Sequence, residues 1–331
     1  KNAVSGGLLG ALFGGAAAPL QYMSGAGDKA DAVLGLTWGV TAISLVVIVV
    51  IGGLLAFALW HRPDLVVRPG ERAALLEPKT GLTWVWIGVG VSGLVLLVSV
   101  VWTMLVLARI SAPGTQPALT IEVTGRQWWW QVRYLSADPA KIFTTANEIH
   151  IPTGVPVRLT LVGADVIHSF WVPQLSGKTD LIPGQINETW IEARAPGIFR
   201  GQCSEYCGVQ HAHMAMLVIA QSPHDFARWQ ARQLQAPAPQ LVSSQGALDF
   251  NAHCGGCHTV RGTDAAGVMG PDLSHLMARH TIGAGTLTNN GPNLAHWIAD
   301  PQGVKPGNLM PAPQLSGREL AGIQTYLGQL R

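Results

Sequence analysis

The 331-residue sequence predicts a multidomain membrane protein: a two-helix transmembrane hairpin, then an all-β domain, then an all-α domain. Three observations lead to this prediction. Two long apolar runs carry no charge, short β-branched and aromatic runs alternate with turn residues after Leu119, and the pattern becomes helical after Ser244. The composition agrees, because 48% of the residues are hydrophobic and only 12% are charged, a balance that favours membrane insertion.

The hairpin is predicted at residues 32–109. No charged residue lies between Asp31 and His61 or between Lys79 and Arg109, and these gaps contain the runs ISLVVIVVIGGLLAFALW and VSGLVLLVSVVWTMLVL. Each gap exceeds the roughly 20 residues that a helix needs to cross the hydrocarbon layer. We therefore expect two antiparallel membrane helices.

The short loop between these runs fixes the expected orientation. It reads HRPDLVVRPGERAALLEPK and contains four basic residues, Arg62, Arg68, Arg72 and Lys79. Short loops rich in Lys and Arg stay in the cytoplasm. The N-terminus and everything after Arg109 are then expected on the periplasmic side of a bacterial inner membrane.

Residues 1–31 form a separate N-terminal segment. The stretch GGLLGALFGGAAAPLQYMSGAG is uncharged but too rich in Gly and Ala for a membrane span. We expect a processed signal remnant or a segment at the membrane surface.

The exported region is predicted to hold two domains. Runs such as LTIEVTG, QWWWQVRY, VPVRLTLVG and AMLVIA, separated by turn signals, predict a β-sandwich or barrel at residues 117–221. A helix and a Pro-rich linker follow at 222–243, with the linker near 236–242. Residues 244–331 are predicted to be helical, and Ser316 with Glu319 forms a capping box for the last helix. The net charge of this region is close to zero, which gives no footprint for nucleic acid.

The sequence CGGCH at 254–258 has the spacing of a c-type haem attachment site. Cys254 and Cys257 lie one helical turn apart and can bond the two vinyl groups of one porphyrin, while His258 ligates the iron. A zinc half-site would need two further ligands, and a thioredoxin-like pair would need a βαβ setting.

The sixth iron ligand is predicted to be Met310, in the Pro-flanked stretch KPGNLMPAP. Five other residues of types that can ligate haem iron are alternatives: Met269, Met277, His275, His280 and His296.

A second cluster of soft ligands lies in GQCSEYCGVQHAHM, between two predicted strands. Thiolate, imidazole and thioether together favour copper, and two thiolates, Cys203 and Cys207, can bridge a pair of coppers beside His211 and Met214. His168, in DVIHSFWVP, is the best candidate for a further imidazole. The alternative is a zinc half-site with His168 in the core. Because both cysteine pairs have metal or cofactor spacing, we expect no disulfide.

The C-terminal region resembles class I cytochrome c through FNAHCGGCH, GPDL, LMP and TYL. That resemblance implies that the carbonyl of Pro271 orients His258.

Residues 30–235 resemble subunit II of haem-copper cytochrome c oxidase. The resemblance rests on the hairpin, GRQWWW, HSFWVP, KTDLIPG and CSEYCGVQHAHM. It implies a cupredoxin-like Greek-key barrel with a binuclear copper A centre. One copper would take His168 and Met214, the other His211 and the carbonyl of Glu205, with Cys203 and Cys207 bridging both. The Glu205 side chain would bind magnesium at the interface with subunit I.

In this family the residue matching Trp128 admits the electron, and here its donor would be the fused haem domain; three adjacent tryptophans can also simply cover a core. Two departures from the family pattern stand out. Arg126 replaces a common His, and the second helix lacks a glutamate at a proton pathway, although Glu77 is nearby.

Together these features predict the subunit II of a caa-type cytochrome c oxidase, an oxidoreductase and proton translocase. Electrons would come from a cytochrome c or a quinol-oxidising complex, reach haem c and copper A, and leave to haem a of subunit I. Subunit I, with copper B, would reduce dioxygen beside subunit III. The alternative is a membrane-anchored copper and haem electron carrier that serves another periplasmic reductase; a quinol-oxidase subunit would not keep copper ligands.

Overall fold

A computed structural model describes residues 19–61 and 79–331. The charged loop on which the expected orientation depends, with Arg62, Arg68 and Arg72, lies outside the described residues, as does Glu77. The chain divides into two compact units. One comprises Lys1–Asp31 with Pro113–Arg331, and the other is Ala32–Ala112.

Two long helices, α1 (Asp28–Trp60) and α2 (Lys79–Ile110), account for the smaller unit. By length and composition, α1 and residues Gly81–Ile110 of α2 are apolar enough to cross a membrane. Hydroxyl groups inside α1 bond the preceding turn, as Thr37 does to the carbonyl of Val33 at 2.9 Å, which satisfies a polar group that lipid could not. The helices touch where Gly39 faces Trp102: a Cβ on Gly39 would lie 2.1 Å from the indole.

The β domain consists of two sheets. The first has the order β3-β2-β1-β5-β8 and the second β4-β10-β9, with a separate β6-β7 hairpin. The strands are β1 (Leu119–Arg126), β2 (Trp129–Leu135), β3 (Phe143–Ala146), β4 (Glu148–Pro152), β5 (Val157–Gly163), β6 (His168–Phe170), β7 (Thr179–Leu181), β8 (Ile186–Ile191), β9 (Gly197–Gln202) and β10 (Ala215–Gln221). The core is apolar and includes the fully buried Trp130, Tyr134 and Phe170.

The sequence predicted the longer strands because they are β-branched or aromatic runs bounded by turn residues; β5 also alternates between core and surface, whereas β4 and β10 are buried almost throughout. It missed β3, β6 and β7, which have three or four residues and show no alternation. Trp128 was expected in a strand with its neighbours, but it lies in the turn between β1 and β2. Because Trp128 is in a turn, its side chain does not follow the alternation of the strand residues on either side.

The C-terminal part is helical: α3 (Pro223–Gln233), α4 (Pro239–Val242), α5 (Gln245–His253), α6 (Gly291–Ala299), α7 (Pro301–Val304) and α8 (Gly317–Leu327), with a small hairpin of β11 (Thr281–Ile282) and β12 (Leu287–Thr288). The predicted capping box of Ser316 and Glu319 is present. The predicted linker contains the short helix α4, because Pro239 is tolerated at the first helical position.

The described end of the N-terminal segment packs on the β domain. The Ala26 amide donates to the carbonyl of Gln174 at 2.8 Å, and the Arg194 amide donates to the carbonyl of Ala26 at 3.0 Å. Lys29 Nζ donates to Thr189 Oγ1 at 2.6 Å. This described end of the segment is thus paired with protein, while residues 1–18, on which the expectation of a signal remnant or membrane-surface segment also falls, lie outside the described residues.

A buried carboxylate joins the β domain to the helical domain. Glu148, on β4, is 2% exposed. Its Oε1 accepts from the His280 amide at 2.5 Å and from the Thr281 amide at 3.3 Å, and its Oε2 lies 3.1 Å from His280 Nδ1. The hydrogen bond with Glu148 raises the pKa of His280. Of the other titratable groups beside Glu148, burial lowers the pKa of Arg279 and lowers the pKa of His150 to about 4.

We expect this contact to make stability depend on pH. Because the folded pKa of His280 is raised, its contribution is complete below the pKa of an unfolded histidine, about 6.5, and is lost as the pH rises through the folded value. His280→Gln should abolish that loss, which amounts to less than about 1 kcal/mol for a partly exposed pair. The measurement is the thermal unfolding midpoint from about pH 5.5 to about pH 8, which brackets that pKa of about 6.5.

The control is His224→Gln, at a side chain that is 77% exposed. This variant should keep the pH dependence of the parent protein. An identical pH dependence in His280→Gln and in the parent would contradict the assignment.

Candidate functional site

Two connections at one end of the β domain bring the predicted copper ligands together. His168 begins β6, while Cys203 and Cys207 follow β9. His211 opens a short 3-10 turn, and Met214 ends it just before β10. His168 and Met214 are fully buried and the two cysteines are each 2% exposed, so the cluster is closed to solvent on most sides.

The ligand atoms of His168, Cys203 and Cys207 all lie within 4.8 Å of one another. The two Sγ atoms are 3.7 Å apart. Cys203 Sγ lies 3.9 Å from His168 Nδ1, while Cys207 Sγ lies 3.6 Å from His211 Nδ1 and 3.8 Å from Met214 Sδ. A disulfide would need about 2.0 Å, whereas an ion about 2.3 Å from both sulfurs fits between them.

His168 is oriented by a neighbouring carboxylate. Its Nε2 lies 2.7 Å from Asp165 Oδ1, which leaves Nδ1 directed at Cys203. Burial alone would lower the pKa of His168, but hydrogen bonds with Cys203 and Asp165 outweigh that effect and raise it. A carboxylate behind a ligand histidine fixes its ring and increases its basicity.

The two thiols differ in their acidity. Their mutual hydrogen bond lowers the pKa of Cys203 to about 3, and the same bond together with burial raises the pKa of Cys207. Cys203 therefore ionises more readily than Cys207, and both protons must have left when a metal is bound by two thiolates. Two thiolates, two imidazoles and a buried thioether suit copper better than zinc, which does not take thioether ligands readily.

Glu205 offers the cluster its backbone and not its side chain. Its carbonyl oxygen lies 3.3 Å from Cys203 Sγ. Its carboxylate is 42% exposed and lies 3.2 Å from Lys178 Nζ, which also contacts Asp180 at 3.2 Å. The KTD segment and Glu205 thus form one charged group on the surface.

The helical domain encloses an apolar cavity that contains the CGGCH motif. Cys254, Cys257 and His258 all line it. His258 Nδ1 lies 2.9 Å from the carbonyl oxygen of Pro271. Because a carbonyl can only accept, Nδ1 carries the proton and Nε2 is the free ligand atom. Burial also lowers the pKa of His258, which keeps the ring neutral.

Two further observations fit a haem in this cavity. Gly270 lies so near the imidazole that a Cβ there would be 2.5 Å from His258 Cε1, which explains why glycine precedes Pro271. Burial raises the pKa of Cys254 to about 11, so its thiol is neutral before any group is bound.

Met310 and Met269 both line the same cavity as His258. Met310 is held in its loop because its amide donates to Asn308 Oδ1 and its carbonyl accepts from Gln302 Nε2, both at 2.8 Å. The remaining alternatives, His275, His280, His296 and Met277, do not line it. Met310 therefore stays the predicted sixth ligand, with Met269 as its competitor.

Trp128 lies between the two sites. Its Nε1 donates to the carbonyl of Cys207 at 2.9 Å, and Gln127 Nε2 donates to the same oxygen at 2.7 Å. Both side chains also line the cavity of the helical domain. Arg126 turns elsewhere, with its guanidinium 5.9 Å from the centre of the Trp129 ring.

Sequence reasoning did not identify Asp165 or Gln127 as parts of the site. Asp165 Oδ2 accepts from the Gln127 amide at 2.7 Å, so one carboxylate orients both His168 and the turn that carries Trp128. The position of Asp165 three residues before His168 was the available signal. Its meaning depended on knowing that His168 is a ligand.

Two family profiles match the exported region. Residues 119–221 match the profile described as cytochrome C oxidase subunit II, periplasmic domain, and residues 243–331 match the cytochrome c profile.

Two curated relatives are each called cytochrome c oxidase subunit 2. The relative from Alkalihalophilus pseudofirmus is 40% identical over 216 residues, which cover 64% of this chain and 61% of the relative. The one from Bacillus sp. (strain PS3) is 32% identical over 256 residues, which cover 72% of this chain and 70% of the relative. The chain thus spans somewhat less than two thirds of the first relative.

One solved structure, the periplasmic domain of subunit II of cytochrome oxidase of Bradyrhizobium japonicum, is 35% identical in sequence. It covers 36% of this chain and 95% of its own, with a TM-score of 0.34.

Gly125 provides a test of the copper site. A Cβ at this position would lie 2.8 Å from His168 Cδ2, so Gly125→Ala should displace the imidazole. We expect copper affinity to fall by about 10- to 100-fold, the usual cost of disturbing what supports a ligand. The measurement is copper content and affinity of the purified protein.

The matched control is Gly177→Ala, because nothing lies within 4 Å of a Cβ there. It should bind copper as the parent does. Parental copper affinity in Gly125→Ala would show that the imidazole does not depend on this glycine.

Proposed function

Because this chain belongs to the cytochrome c oxidase subunit II family, we propose that it passes electrons from a haem c in residues 244–331 to a copper centre in residues 117–221. The observation that carries the proposal is the position of Trp128. Its indole donates to the carbonyl of Cys207 and also lines the cavity that contains the CGGCH motif. One side chain therefore reaches from the haem cavity to a predicted copper ligand.

The bound groups would supply one-electron redox chemistry. The protein holds and orients them. Cys203 and Cys207 would bridge two coppers, with His168 and Met214 on one and His211 and the carbonyl of Glu205 on the other. The donor atoms and their spacing support this assignment.

In the haem domain, Cys254 and Cys257 would hold the porphyrin through thioether bonds, with His258 and Met310 on the iron. Pro271 supports this role of His258 by accepting its Nδ1 proton. Apolar side chains around the cavity, such as Leu294 and Ile323, would exclude water. Exclusion of water lowers the reorganisation that accompanies a change of charge.

At the level of the complex, the proposal is a caa-type cytochrome c oxidase in a bacterial inner membrane. Electrons would arrive at haem c from a cytochrome c or a quinol-oxidising complex. They would leave copper A for haem a of subunit I, where dioxygen is reduced and protons are translocated, with subunit III alongside. Two helices of membrane-spanning length and the exported β domain support this arrangement.

Glu205 is proposed to complete the contact with subunit I. Its carboxylate is exposed and pairs with Lys178 in the absence of a partner. Magnesium bound there would replace the Lys178 ammonium group beside the Glu205 carboxylate, because Mg²⁺ prefers oxygen ligands.

The decisive experiment is purification of the protein from membranes, followed by metal analysis and spectroscopy. We expect two coppers and one iron per chain, an electron spin shared between two copper nuclei, and co-purification with a subunit that contains haem a and copper B. A zinc ion or an unshared copper spin would contradict the site. Full metal loading without any oxidase subunit would indicate a carrier that serves another reductase.

Trp128 can be tested separately by the substitution Trp128→Phe. Phenylalanine keeps the ring but loses the hydrogen bond to Cys207, so the transfer from haem to copper should slow by about tenfold or more. The measurement is reoxidation of flash-reduced haem c. Trp129→Phe is the control, because Trp129 lines the same cavity while the indole that donates to the Cys207 carbonyl is that of Trp128; it should leave the rate near that of the parent. If haem c is reoxidised at the same rate in Trp128→Phe and in Trp129→Phe, a route through Trp128 is excluded.

A further inference from the structure

Lys305 is a buried lysine that belongs to neither set of predicted ligands. It follows α7 in the helical domain and is only 2% exposed. A lysine at this depth needs an acceptor for each of its three donors. The acceptors around Lys305 Nζ therefore indicate its role.

All three donors of Lys305 are used, and each goes to a different loop. Nζ donates to the carbonyl of Trp128 at 2.7 Å, to that of His213 at 2.7 Å and to that of Gly283 at 3.0 Å. Trp128 lies in the turn between β1 and β2, and His213 lies in the loop of copper ligands. Gly283 belongs to the turn between β11 and β12 of the helical domain itself.

Further contacts surround this lysine and join the same two domains. Gln210 Nε2 donates to the carbonyl of Pro306 at 2.7 Å, and the Ala215 amide donates to the carbonyl of Ala284 at 3.0 Å. A Cβ on Gly307 would lie 3.8 Å from the Trp128 indole. The helical domain thus covers Trp128, which is 8% exposed.

We propose that Lys305 is a positioning residue that clamps the haem domain onto the two copper-domain loops and so fixes the path from haem to copper. This inference rests on the proposed function. The clamp joins the loop that carries Trp128 to the loop that carries the copper ligands, and it holds both against the haem domain. Electron transfer over a fixed path then needs no search for a docked state, and the covered Trp128 is closed to a soluble donor.

The chemistry of the contact explains why a lysine is suited to it. Burial lowers the pKa of Lys305 to about 7, and in its protonated form the ammonium group donates to three backbone carbonyl oxygens. The domains are then joined by charge-assisted hydrogen bonds to backbone. Removal of the amine leaves three buried carbonyls without this donor, and an unsatisfied buried acceptor is costly. The docked state is therefore sensitive to this one side chain.

The test uses Lys305→Met in the full chain within its oxidase complex. Methionine fills similar volume without charge or donors. We expect transfer from flash-reduced haem c to copper to slow by about tenfold or more. Hydrogen exchange at the Ala215 amide, whose acceptor lies across the interface, should become about tenfold faster, while the Val218 amide within the β9-β10 pairing stays protected. The haem and copper spectra should not change.

The matched control is Lys141→Met, at an exposed lysine whose ion pair with Asp138 spans 3.8 Å. It should show the parental rate and the parental exchange. If Lys305→Met does not fold, Lys305→Gln, which keeps two donors, is expected to give the same changes to a smaller extent.

The outcomes separate this inference from the function on which it rests. A parent protein that transfers no electron from haem to copper would contradict the proposed function, while amide exchange would still report on the clamp. A parental transfer rate in Lys305→Met, or a reduced rate with unchanged exchange at Ala215, would overturn the role of Lys305.

Discussion

The carbonyl oxygen of Cys207 is the point on which the two sites depend together. It accepts from the indole of Trp128 and from the side-chain amide of Gln127, so the turn between β1 and β2 is fixed to the loop that contains Cys203 and Cys207. If that oxygen moved, the thiol of the same residue and the indole that reaches the haem cavity would both move. The position of the Cys207 thiol and the position of the Trp128 indole are therefore fixed together.

The surrounding fold holds this constraint from several sides. Asp165 forms hydrogen bonds with the His168 imidazole and with the backbone amide of Gln127. It thereby links a predicted copper ligand to the turn that contains Trp128. Lys305 binds the carbonyl of Trp128 from the helical domain. Because carboxylate, amine and backbone groups all meet with satisfied hydrogen bonds, the polar network specifies one arrangement within an otherwise apolar setting.

The two domains differ in how the chain brings their predicted ligands together. In the β domain, soft ligands come from a compact loop and from His168 on a distant strand, and burial excludes water from the thiolates. In the helical domain, the three residues of the attachment motif lie together in sequence, and the apolar cavity supplies the rest. The proposed function is thus a relay in which each domain would hold one redox group.

The sequence by itself determined the class of each part. Charge-free runs, strand alternation and the spacing of CGGCH and CSEYCGVQHAHM are local patterns, because helix length, pleat and ligand spacing are set by nearby residues. The short strands, the turn position of Trp128 and the packing of Ala26 on the β domain were decided only by tertiary structure. So were the contacts of Asp165 and Lys305, since each depends on groups that are brought close by folding and are distant along the chain.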